Sequence, residues 1–436
     1  MTTRKTLISL TSAAFTLIVP SLCLAQANEA DGANTAWILT STALVLFMTI
    51  PGLSLFYGGL VRTKNVLSIL MQCFTITTMV SVLWLLVGYS MAFGPSESPF
   101  WGGLGKALFN GVVVDSVSGS IPETVFAAFQ MTFAIITPAL IVGAFAERMK
   151  FSSMMLFCGL WVVLVYFPVA HWVWGGGWLG QMGLIDFAGG TVVHVTAGVA
   201  AVVVALMLGQ RHGFLSSAMV PHNMTMTVTG AGMLWVGWFG FNAGSALAAD
   251  GNAGMALLVT HLSASAGALT WMTIEWIKFG KPSALGAVTG MVAGLATITP
   301  ASGSVGPAGG MLVGIAGGFI CYFATTTMKT RLKIDDSLDV FPVHGVGGML
   351  GTFLAGILIS QNLGVFSGNG YAEGMTMGSQ VLVQITGILA TGVYTGIVTV
   401  VILKVVSALT SGIRISDEQE QMGCDITDHD EKGYSM

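Results

Sequence analysis

The stretch DFAGGTVVHVTAGVAAVVVALMLG, residues 186–209, decides the fold. After its first residue it holds a single ionisable side chain, His194, in an otherwise apolar run. About 20 apolar residues in a helix cross the hydrocarbon core of a bilayer. The whole chain shares this character, because 8% of its 436 residues are charged and 54% are hydrophobic, a balance too apolar for a water-soluble protein. We therefore predict an all-α membrane protein.

Apolar runs of this length recur eleven times between residues 28 and 409, which we expect to form one channel domain with short loops. The 58 glycines, roughly twice the usual share of about 7%, fit helices that pack closely in lipid. The predicted spans are 36–58, 65–93, 121–146, 151–174, 188–209, 222–247, 254–277, 283–300, 306–328, 342–360 and 378–409.

The basic residues support this count independently, because they fall in alternate loops while the opposite loops contain Lys106 alone. Basic loops face the cytoplasm. The mature N-terminus is therefore expected outside a bacterial inner membrane, and the C-terminal tail, residues 410–436, inside. The basic residues of the alternate loops are Arg62, Lys64, Arg148, Lys150, Arg211, Lys278, Lys281, Lys329, Arg331 and Lys333.

Residues 1–27 have the features of a signal peptide. Arg4 and Lys5 precede an apolar stretch, and the small residues Ala25 and Ala27 suit a signal peptidase. The alternative is an uncleaved first transmembrane helix, against which Pro20 argues.

The fifth and tenth spans share a pattern that indicates duplication. Asp186-Phe187 precedes His194-x-x-x-Gly198, and Asp339-x-Phe341 precedes His344-x-x-x-Gly348. Two five-span halves would lie in the membrane with opposite topology, an inverted five-plus-five repeat that commonly places a transport pathway between the halves. We therefore expect a central pore in each protomer.

His194, His344 and Asp186 are ionisable groups at membrane depth, where such groups usually have a function. Each histidine taken alone could instead bond two helices together, and Asp186 could cap the helix that follows it. If the imidazoles meet, one N–H can bond the other ring and leave the outer nitrogens free for a small neutral solute. An apolar lumen of this kind disfavours a bare cation and admits a weak base.

Aromatic residues cluster at Phe129 and Phe133 in the third span, at 235–241 in the sixth and at Trp174 before three glycines. Most membrane aromatics anchor or fill the fold, but rings at a vestibule would attract a cation through their π faces. Other classes find little support. The five scattered cysteines indicate no disulfide framework or zinc site, no basic surface indicates nucleic acid, and neither H-E-x-x-H nor G-x-S-x-G occurs to suggest an intramembrane hydrolase.

The sequence resembles the Amt/Mep/Rh ammonium transporter family, most closely its bacterial Amt branch, over nearly the whole mature chain. Several long motifs in the same order carry the resemblance. They are Ile50-Pro51-Gly52 through Phe56-Tyr57-Gly58-Gly59-Leu60, Gly143-Ala144-x-Ala146-Glu147-Arg148, Asp186 through His194, Trp238 through Ser245, and Asp339 to His344-Gly345.

The resemblance implies a homotrimer of eleven-helix protomers that conducts ammonium, and methylammonium, with no cofactor and no catalysis. Its site residues are expected at matching positions. Trp174, Phe133 and Ser245 match the outer recruitment site with Phe129 beside it, Phe133 and Phe241 match a phenyl gate, His194 and His344 match the pore, and Asp186 matches a carboxylate needed for conduction.

The tail, from Ser416 to His429, also resembles that of the family, which contacts neighbouring subunits and influences docking of PII-type signalling proteins. Cys424 and Asp430 stand where leucine and glycine are commoner, and a disordered acidic tail is the alternative. An ammonium sensor that signals through the tail in addition to transport stays open. So does a secondary carrier of larger solutes, although no span has a midplane charge apart from the histidines.

Overall fold

The structure, a computed structural model, describes residues 29–434 and is mainly helical, so the predicted signal peptide, residues 1–27, lies outside the described residues. Each of the eleven predicted spans coincides with one long helix. The helices are α1 Gly32–Leu60, α2 Thr63–Phe93, α3 Glu123–Phe145, α4 Phe151–Gln181, α5 Gly190–Leu208, α6 Met224–Gly244, α7 Gly251–Phe279, α8 Ala284–Ala301, α9 Pro307–Thr330, α10 Phe341–Leu358 and α11 Met377–Leu409. Two short tail helices, α12 Asp417–Met422 and α13 Cys424–His429, follow, and one hairpin pairs β1 Val117–Ser118 with β2 Ile121–Pro122.

Within residues 29–434, ten of these helices are long and apolar enough to cross a membrane. The exception is α6, a helix of 21 residues whose second half is rich in aromatic and small residues. Helices suit the lipid interior because each satisfies its own backbone hydrogen bonds. The predicted fold class, an all-α membrane protein, is confirmed.

The helices divide into a buried centre and an apolar outer surface. Helix α3 is buried along most of its length, whereas α11 presents an exposed stripe of aliphatic side chains. Leu382, Leu389, Val393 and Ile397 on this stripe are each at least 60% exposed. A continuous exposed apolar stripe on a long helix is what a lipid-facing surface requires.

Glycine allows the close packing of α7, α8 and α9. A Cβ atom on Gly294 of α8 or on Gly314 of α9 would collide with the backbone carbonyl of Ser263 on α7. The glycine surplus in the sequence thus corresponds to helix crossings in which backbones touch, as the composition predicted.

One end of the bundle is held by a buried network of charged loop residues. Arg62 donates from Nε to Glu147 at 3.0 Å, and Arg211 bonds both Glu147 at 3.0 Å and Asp335 at 2.8 Å. Burial opposes ionisation of Glu147, but Arg211 and then Arg62 outweigh it and hold the pKa of this carboxyl below its usual value. The network joins four loops that the charge pattern assigned to the same side of the membrane.

The tail docks on this same end. The Glu420 carboxylate of α12 is buried, accepts a hydrogen bond from the backbone N–H of His212 at 2.7 Å and pairs with Arg414 at 2.7 Å. Asp425 of α13 accepts from the N–H groups of Leu67 and Ser68 in the first turns of α2. The described part of the tail is therefore ordered against the bundle, contrary to the disordered alternative.

Candidate functional site

Three cavities lie in sequence through the protein. An outer cavity of about 310 Å³ is lined by Phe133, Trp174 and Ser245. A narrow central cavity of about 10 Å³ has His194 and His344 in its wall, and an inner cavity of about 280 Å³ shares His344 with it. About 10–15 Å³ is the smallest space that holds one water molecule. The central cavity therefore has room for one small solute.

The two histidines are in direct contact inside the central cavity. Their Nδ1 atoms lie 3.2 Å apart, and the two rings are nearly parallel with centroids 5.2 Å apart. One Nδ1 must donate its hydrogen to the other, so each ring presents its Nε2 edge elsewhere. The Nε2 of His194 is buried and has no hydrogen-bond partner among the described residues. It is available to a solute in the cavity.

Helices α5 and α10 can bring the histidines together because each has a glycine four residues after its histidine. A Cβ atom on Gly348 would lie 2.7 Å from Cβ of His194, and one on Gly198 would collide with Cα of Gly345. The His-x-x-x-Gly pattern, weak as a sequence signal, thus has a structural reason in this crossing.

The phenyl rings of Phe133 and Phe241 separate the outer cavity from the central one. They stack with centroids 4.3 Å apart at an interplanar angle of 29°. Phe133 lines the outer cavity, and Phe241 lines the central one. The stacked pair therefore lies between the two cavities.

The outer cavity has an aromatic wall and a hydroxyl. Trp174 packs edge-on against Phe133 with centroids 5.8 Å apart, and its Nε1 donates to the Asp186 carbonyl at 2.8 Å, which fixes the indole. Ser245 donates to the Phe241 carbonyl at 2.8 Å, so its hydroxyl oxygen can accept from a cation in the cavity.

Phe129, expected beside the recruitment site, does not line the outer cavity. Its ring is fully buried behind Phe133, with centroids 5.0 Å apart in an edge-on arrangement. Gly244 of α6 covers it, because a Cβ atom there would lie 2.9 Å from the Phe129 ring. In this structure Phe129 therefore supports Phe133 from behind.

Asp186 caps the helix that carries His194. Its carboxylate accepts hydrogen bonds from the N–H groups of Gly189, Gly190, Thr191 and Val192 and from the Thr191 hydroxyl. These donors use the oxygens fully, and the carboxylate does not line the outer cavity. The sequence left two roles open for Asp186, a helix cap and a direct part in conduction, and this geometry favours the cap. A role in conduction would have to act through the position of the helix.

The structural counterpart of Asp186 is Asp336, so the sequence pairing of Asp186 with Asp339 was wrong in register. Asp336 lies eight residues before His344, as Asp186 lies eight before His194, and it accepts from Phe341 N at 2.7 Å in the first turn of α10. Asp339 takes the place of Gly189, and both have positive φ, 62° and 113°. The turn geometry rather than the Asp-Phe dipeptide defines the repeat.

Sequence reasoning gave no separate role to Trp238. Its indole stacks on His194 with centroids 5.6 Å apart, and its Nε1 donates to Thr299 at 2.9 Å. The flat indole holds the imidazole plane from one side. The Trp-x-x-Trp-Phe run marked α6 as rich in aromatic residues, but it could not show that Trp238 packs against a histidine of another helix, α5.

The two unusual tail residues fit their places. Asp430 ends α13 with a φ of 53°, a left-handed conformation that glycine adopts freely and aspartate tolerates. Cys424 is buried, and its N–H donates to Asn65 at 2.8 Å. Neither departure disturbs the docked tail.

Comparison with known proteins agrees with the fold. The sequence profile described as Ammonium Transporter Family matches residues 36–434. An ammonium transporter of Bacillus subtilis is 47% identical over 396 residues, which cover 90% of this chain and 96% of the relative. An ammonium transporter of Aquifex aeolicus is 45% identical over 424 residues, 96% of this chain and 97% of the relative.

Solved structures resemble the whole bundle. A protein titled Sensor Amt Protein matches with a TM-score of 0.84 at 28% identity and covers 91% of this chain and 98% of its own. Mep2 of Candida albicans matches with a TM-score of 0.82 at 35% identity, over 89% of this chain and 87% of its own. From these matches over nearly its whole length, the chain is a multi-pass membrane protein that belongs to the ammonium transporter family.

Proposed function

We propose that this protein transports ammonium: it binds the ion at the outer aromatic cavity, releases a proton near the phenyl pair and conducts ammonia past His194 and His344, with the proton handled separately. The observation that carries the proposal is the contact of the two imidazoles inside an apolar cavity with room for one small molecule.

The outer cavity suits a small cation. The faces of Phe133 and Trp174 offer cation–π contacts worth roughly 0.5–2 kcal/mol each, and Ser245 offers an acceptor oxygen. These contacts replace part of the hydration shell. They are far too weak to carry a bare ion further, because an uncompensated charge in an apolar medium loses tens of kcal/mol of solvation.

The central cavity suits ammonia rather than ammonium. Apart from the imidazoles its wall is made of apolar side chains, and no carboxylate lines it. A neutral weak base can exchange hydrogen bonds with the imidazole nitrogens at little loss of hydration free energy. The charged parent finds no counter-ion there, so selectivity follows from charge and size together.

The test replaces His194 and His344, singly and together, with alanine and with aspartate in a strain whose growth at low ammonium depends on this protein. We expect alanine to reduce methylammonium uptake at least tenfold. We expect aspartate to admit potassium, because a carboxylate supplies the missing counter-charge. The measurements are labelled methylammonium uptake and potassium flux in proteoliposomes.

The matched control is His261→Ala, since His261 lies exposed on α7 against Trp235, away from the cavities. Unchanged uptake and unchanged exclusion of potassium in the double variant would contradict the proposal.

We also propose a homotrimer in a bacterial inner membrane, with a pore in each protomer and with the tail and the charged network in the cytoplasm. The support is the family membership and the position of the basic loops at the end where the tail docks. Mass measurement of the detergent-solubilised protein tests the trimer. Protease accessibility of the tail in sealed vesicles tests its side.

Signalling through the tail in addition to transport is the second candidate, with a PII-type protein as the partner. It rests on the ordered docking of α12 and α13, which leaves Asp417, Glu418 and Gln421 exposed. Replacing Glu418 by lysine changes that surface without touching the buried contacts. Loss of PII binding with unchanged uptake would support a combined role, and unchanged binding would argue against this surface.

A further inference from the structure

A further cavity, which we call the side chamber, lies beside the outer cavity. It measures about 300 Å³ and shares Phe93, Phe126 and Trp174 with the outer cavity, so the two are adjacent. Its own wall contains Lys106 and Glu123. The proposed transport path does not use this chamber, although it opens beside the place where the substrate cation would bind.

The Lys106 ammonium group is held inside the side chamber by a carboxylate and an aromatic ring. Its Nζ donates to Glu123 and lies 5.7 Å from the centroid of the Tyr89 ring. The Tyr89 hydroxyl donates to the same Glu123 oxygen at 2.6 Å. The Glu123 side chain is 10% exposed and that of Lys106 is 26% exposed, so the pair is partly shielded from water.

A lysine side chain ends in a primary ammonium group, which is the chemical analogue of methylammonium. The carboxylate and the ring that hold it supply the ion pair and the cation–π contact that a free small ammonium ion would use. Phe109 stacks on Tyr89 with centroids 4.9 Å apart at 6°, which fixes the ring. The chamber is therefore a built cation site whose occupant is part of the chain.

The Lys106 side chain is not needed to hold its loop in place. The backbone N–H of Lys106 donates to Ser90 Oγ at 2.9 Å, and Ser90 Oγ donates to the Gly103 carbonyl at 3.0 Å. Gly102 N–H bonds the Met91 carbonyl at 2.7 Å. These backbone contacts anchor the loop to α2 whether or not position 106 is charged.

Lys106 is also the single basic residue in the outer loops between residues 29 and 434. Elsewhere on this face of the described chain an approaching cation meets acidic and neutral side chains. Lys106 is the one exception, and it pairs with Glu123, the one carboxylate that lines the side chamber. Its charge cancels that of Glu123 beside the mouth of the pore.

We propose that Glu123 and the Tyr89 ring form a second outer binding site for small ammonium ions, and that Lys106 is a tethered competitor that occupies it. The inference rests on the proposed function. When Lys106 leaves, the site gathers ammonium or methylammonium next to the outer cavity. When it stays, the chamber is neutral and the outer cavity alone sets the affinity.

The test compares Lys106→Met, Glu123→Gln and the double variant by the external methylammonium concentration that gives half-maximal uptake. We expect Lys106→Met to lower this concentration about threefold and Glu123→Gln to raise it about threefold, the size expected for a partly exposed charge. The double variant should return to within about twofold of the unchanged protein. The shift in Lys106→Met should shrink at high ionic strength, because salt screens exposed charges.

A purely structural ion pair predicts a different pattern, in which both single variants and the double variant lose uptake and thermal stability together. That pattern, or single variants without any shift, would overturn the inference. The control is Lys278→Met, which removes a lysine held over Tyr322 and Phe323 on the opposite side of the bundle and should not shift half-saturation.

A second readout separates this inference from the proposed function. Methylammonium should raise the unfolding temperature of purified Lys106→Met more than that of the unchanged protein, whether or not uptake is measurable. If the unchanged protein transports methylammonium but neither half-saturation nor the thermal shift responds to Lys106→Met, the side chamber is not a site and the transport proposal stands. If uptake is absent altogether, the transport proposal fails and the thermal shift alone decides the chamber.

Discussion

The two helices that carry the histidines, α5 and α10, begin with the same turn but are capped with different completeness. In each, an aspartate lies eight residues before the histidine, and a residue with positive φ lies three after the aspartate. Asp186 accepts five hydrogen bonds at the start of α5. Asp336 accepts from Phe341 at the start of α10, and its Oδ1 is buried without a partner among the described residues.

Two of the four bonds that Asp336 lacks are explained by substitutions between corresponding positions. Thr191 gives Asp186 both its N–H and its hydroxyl, whereas Phe341 at the matching position has no hydroxyl to give. Val192 donates its N–H to Asp186, whereas Pro342 has no N–H. Two similar turns thus leave the carboxylate of Asp186 saturated with hydrogen bonds and that of Asp336 short of donors.

The comparison teaches that the α10 cap, short of donors, has a perturbed carboxyl group. Burial, and then the nearby charge of Asp339, raises the pKa of Asp336 from 3.8 to about 6. Asp336 lies in the loop before α10, at the same end as the inner cavity and the docked tail. The start of α10 can therefore respond to pH.

The largest effect is expected from removing the complete cap. Asp186→Ala leaves the four N–H donors and the Thr191 hydroxyl without partners, which should lower the free energy of unfolding by roughly 3 kcal/mol or more. Uptake of methylammonium should fall at least tenfold, because the turn that positions His194 loosens. The control is Asp250→Ala, which removes a cap with a single bond to Ala253 on the same face. Equal losses in the two variants would contradict this account of Asp186.

A methyl group at the helix crossing tests whether both histidines need close contact. Gly348→Ala places Cβ 2.7 Å from Cβ of His194, and we expect uptake to fall about tenfold with a destabilisation of about 1–3 kcal/mol. Gly254→Ala is the control, because Gly254 lies in α7 with open space around it. The measurements are uptake in proteoliposomes and thermal unfolding in detergent. Full uptake in Gly348→Ala would show that the imidazole contact is not essential.

The incomplete cap should give a pH-dependent effect. Because the pKa of Asp336 is raised in the folded protein, folding favours its protonated form, and this stability is lost as pH rises through about 6. Asp336→Asn removes the ionisation. The variant should therefore gain stability relative to the unchanged protein between about pH 4 and pH 7.5, by up to roughly 3 kcal/mol. Unfolding temperature measured against pH checks this, and parallel curves for the two proteins would contradict it.

The smallest effect is expected from one donor of the complete cap. Thr191→Val keeps the N–H and removes the hydroxyl bond to Asp186, a loss of about 1 kcal/mol in the free energy of unfolding. Thr196→Val is the control, since that hydroxyl bonds backbone carbonyls of its own helix. Chemical unfolding of the two variants should rank Thr191→Val below Thr196→Val, and the reverse order would contradict the role given to the hydroxyl.

The sequence was sufficient for the helices because long apolar runs and the positions of the basic loops are independent signals. They agreed on every span, including α6, whose polar and aromatic residues place it outside the group of clearly apolar helices. The histidines could be found for a similar reason. An ionisable residue in an apolar run stands out, and two of them repeat the same spacing to a glycine.

The register of the repeat could not be read from the sequence. Three aspartates, Asp335, Asp336 and Asp339, compete for the place that Asp186 holds alone, and only the turn decides that Asp335 bonds Arg211 while Asp336 caps α10. The burial of Phe129 could not be predicted for a related reason. It shares a helix face with Phe133, but which of the two reaches the cavity depends on where α6 crosses, and no spacing along α3 contains that information.

The side chamber was equally hidden from the sequence. Lys106 and Glu123 are 17 residues apart across irregular backbone and a two-residue hairpin. No periodicity links positions separated in this way. The sequence showed that Lys106 carries the one positive charge among the outer loops, but it did not show that Glu123 is its partner.

The buried Glu420 carboxylate connects the tail to the loops of the bundle. Because this one carboxylate joins Arg414, Arg62 and the backbone of His212, deleting everything after Ile415 does more than remove an appendage. The deletion would uncouple loops that lie far apart along the chain and expose two guanidinium groups, so a truncated protein is a poor reference state. Substitutions of exposed residues on α12 therefore test the function of the tail more directly than its deletion does.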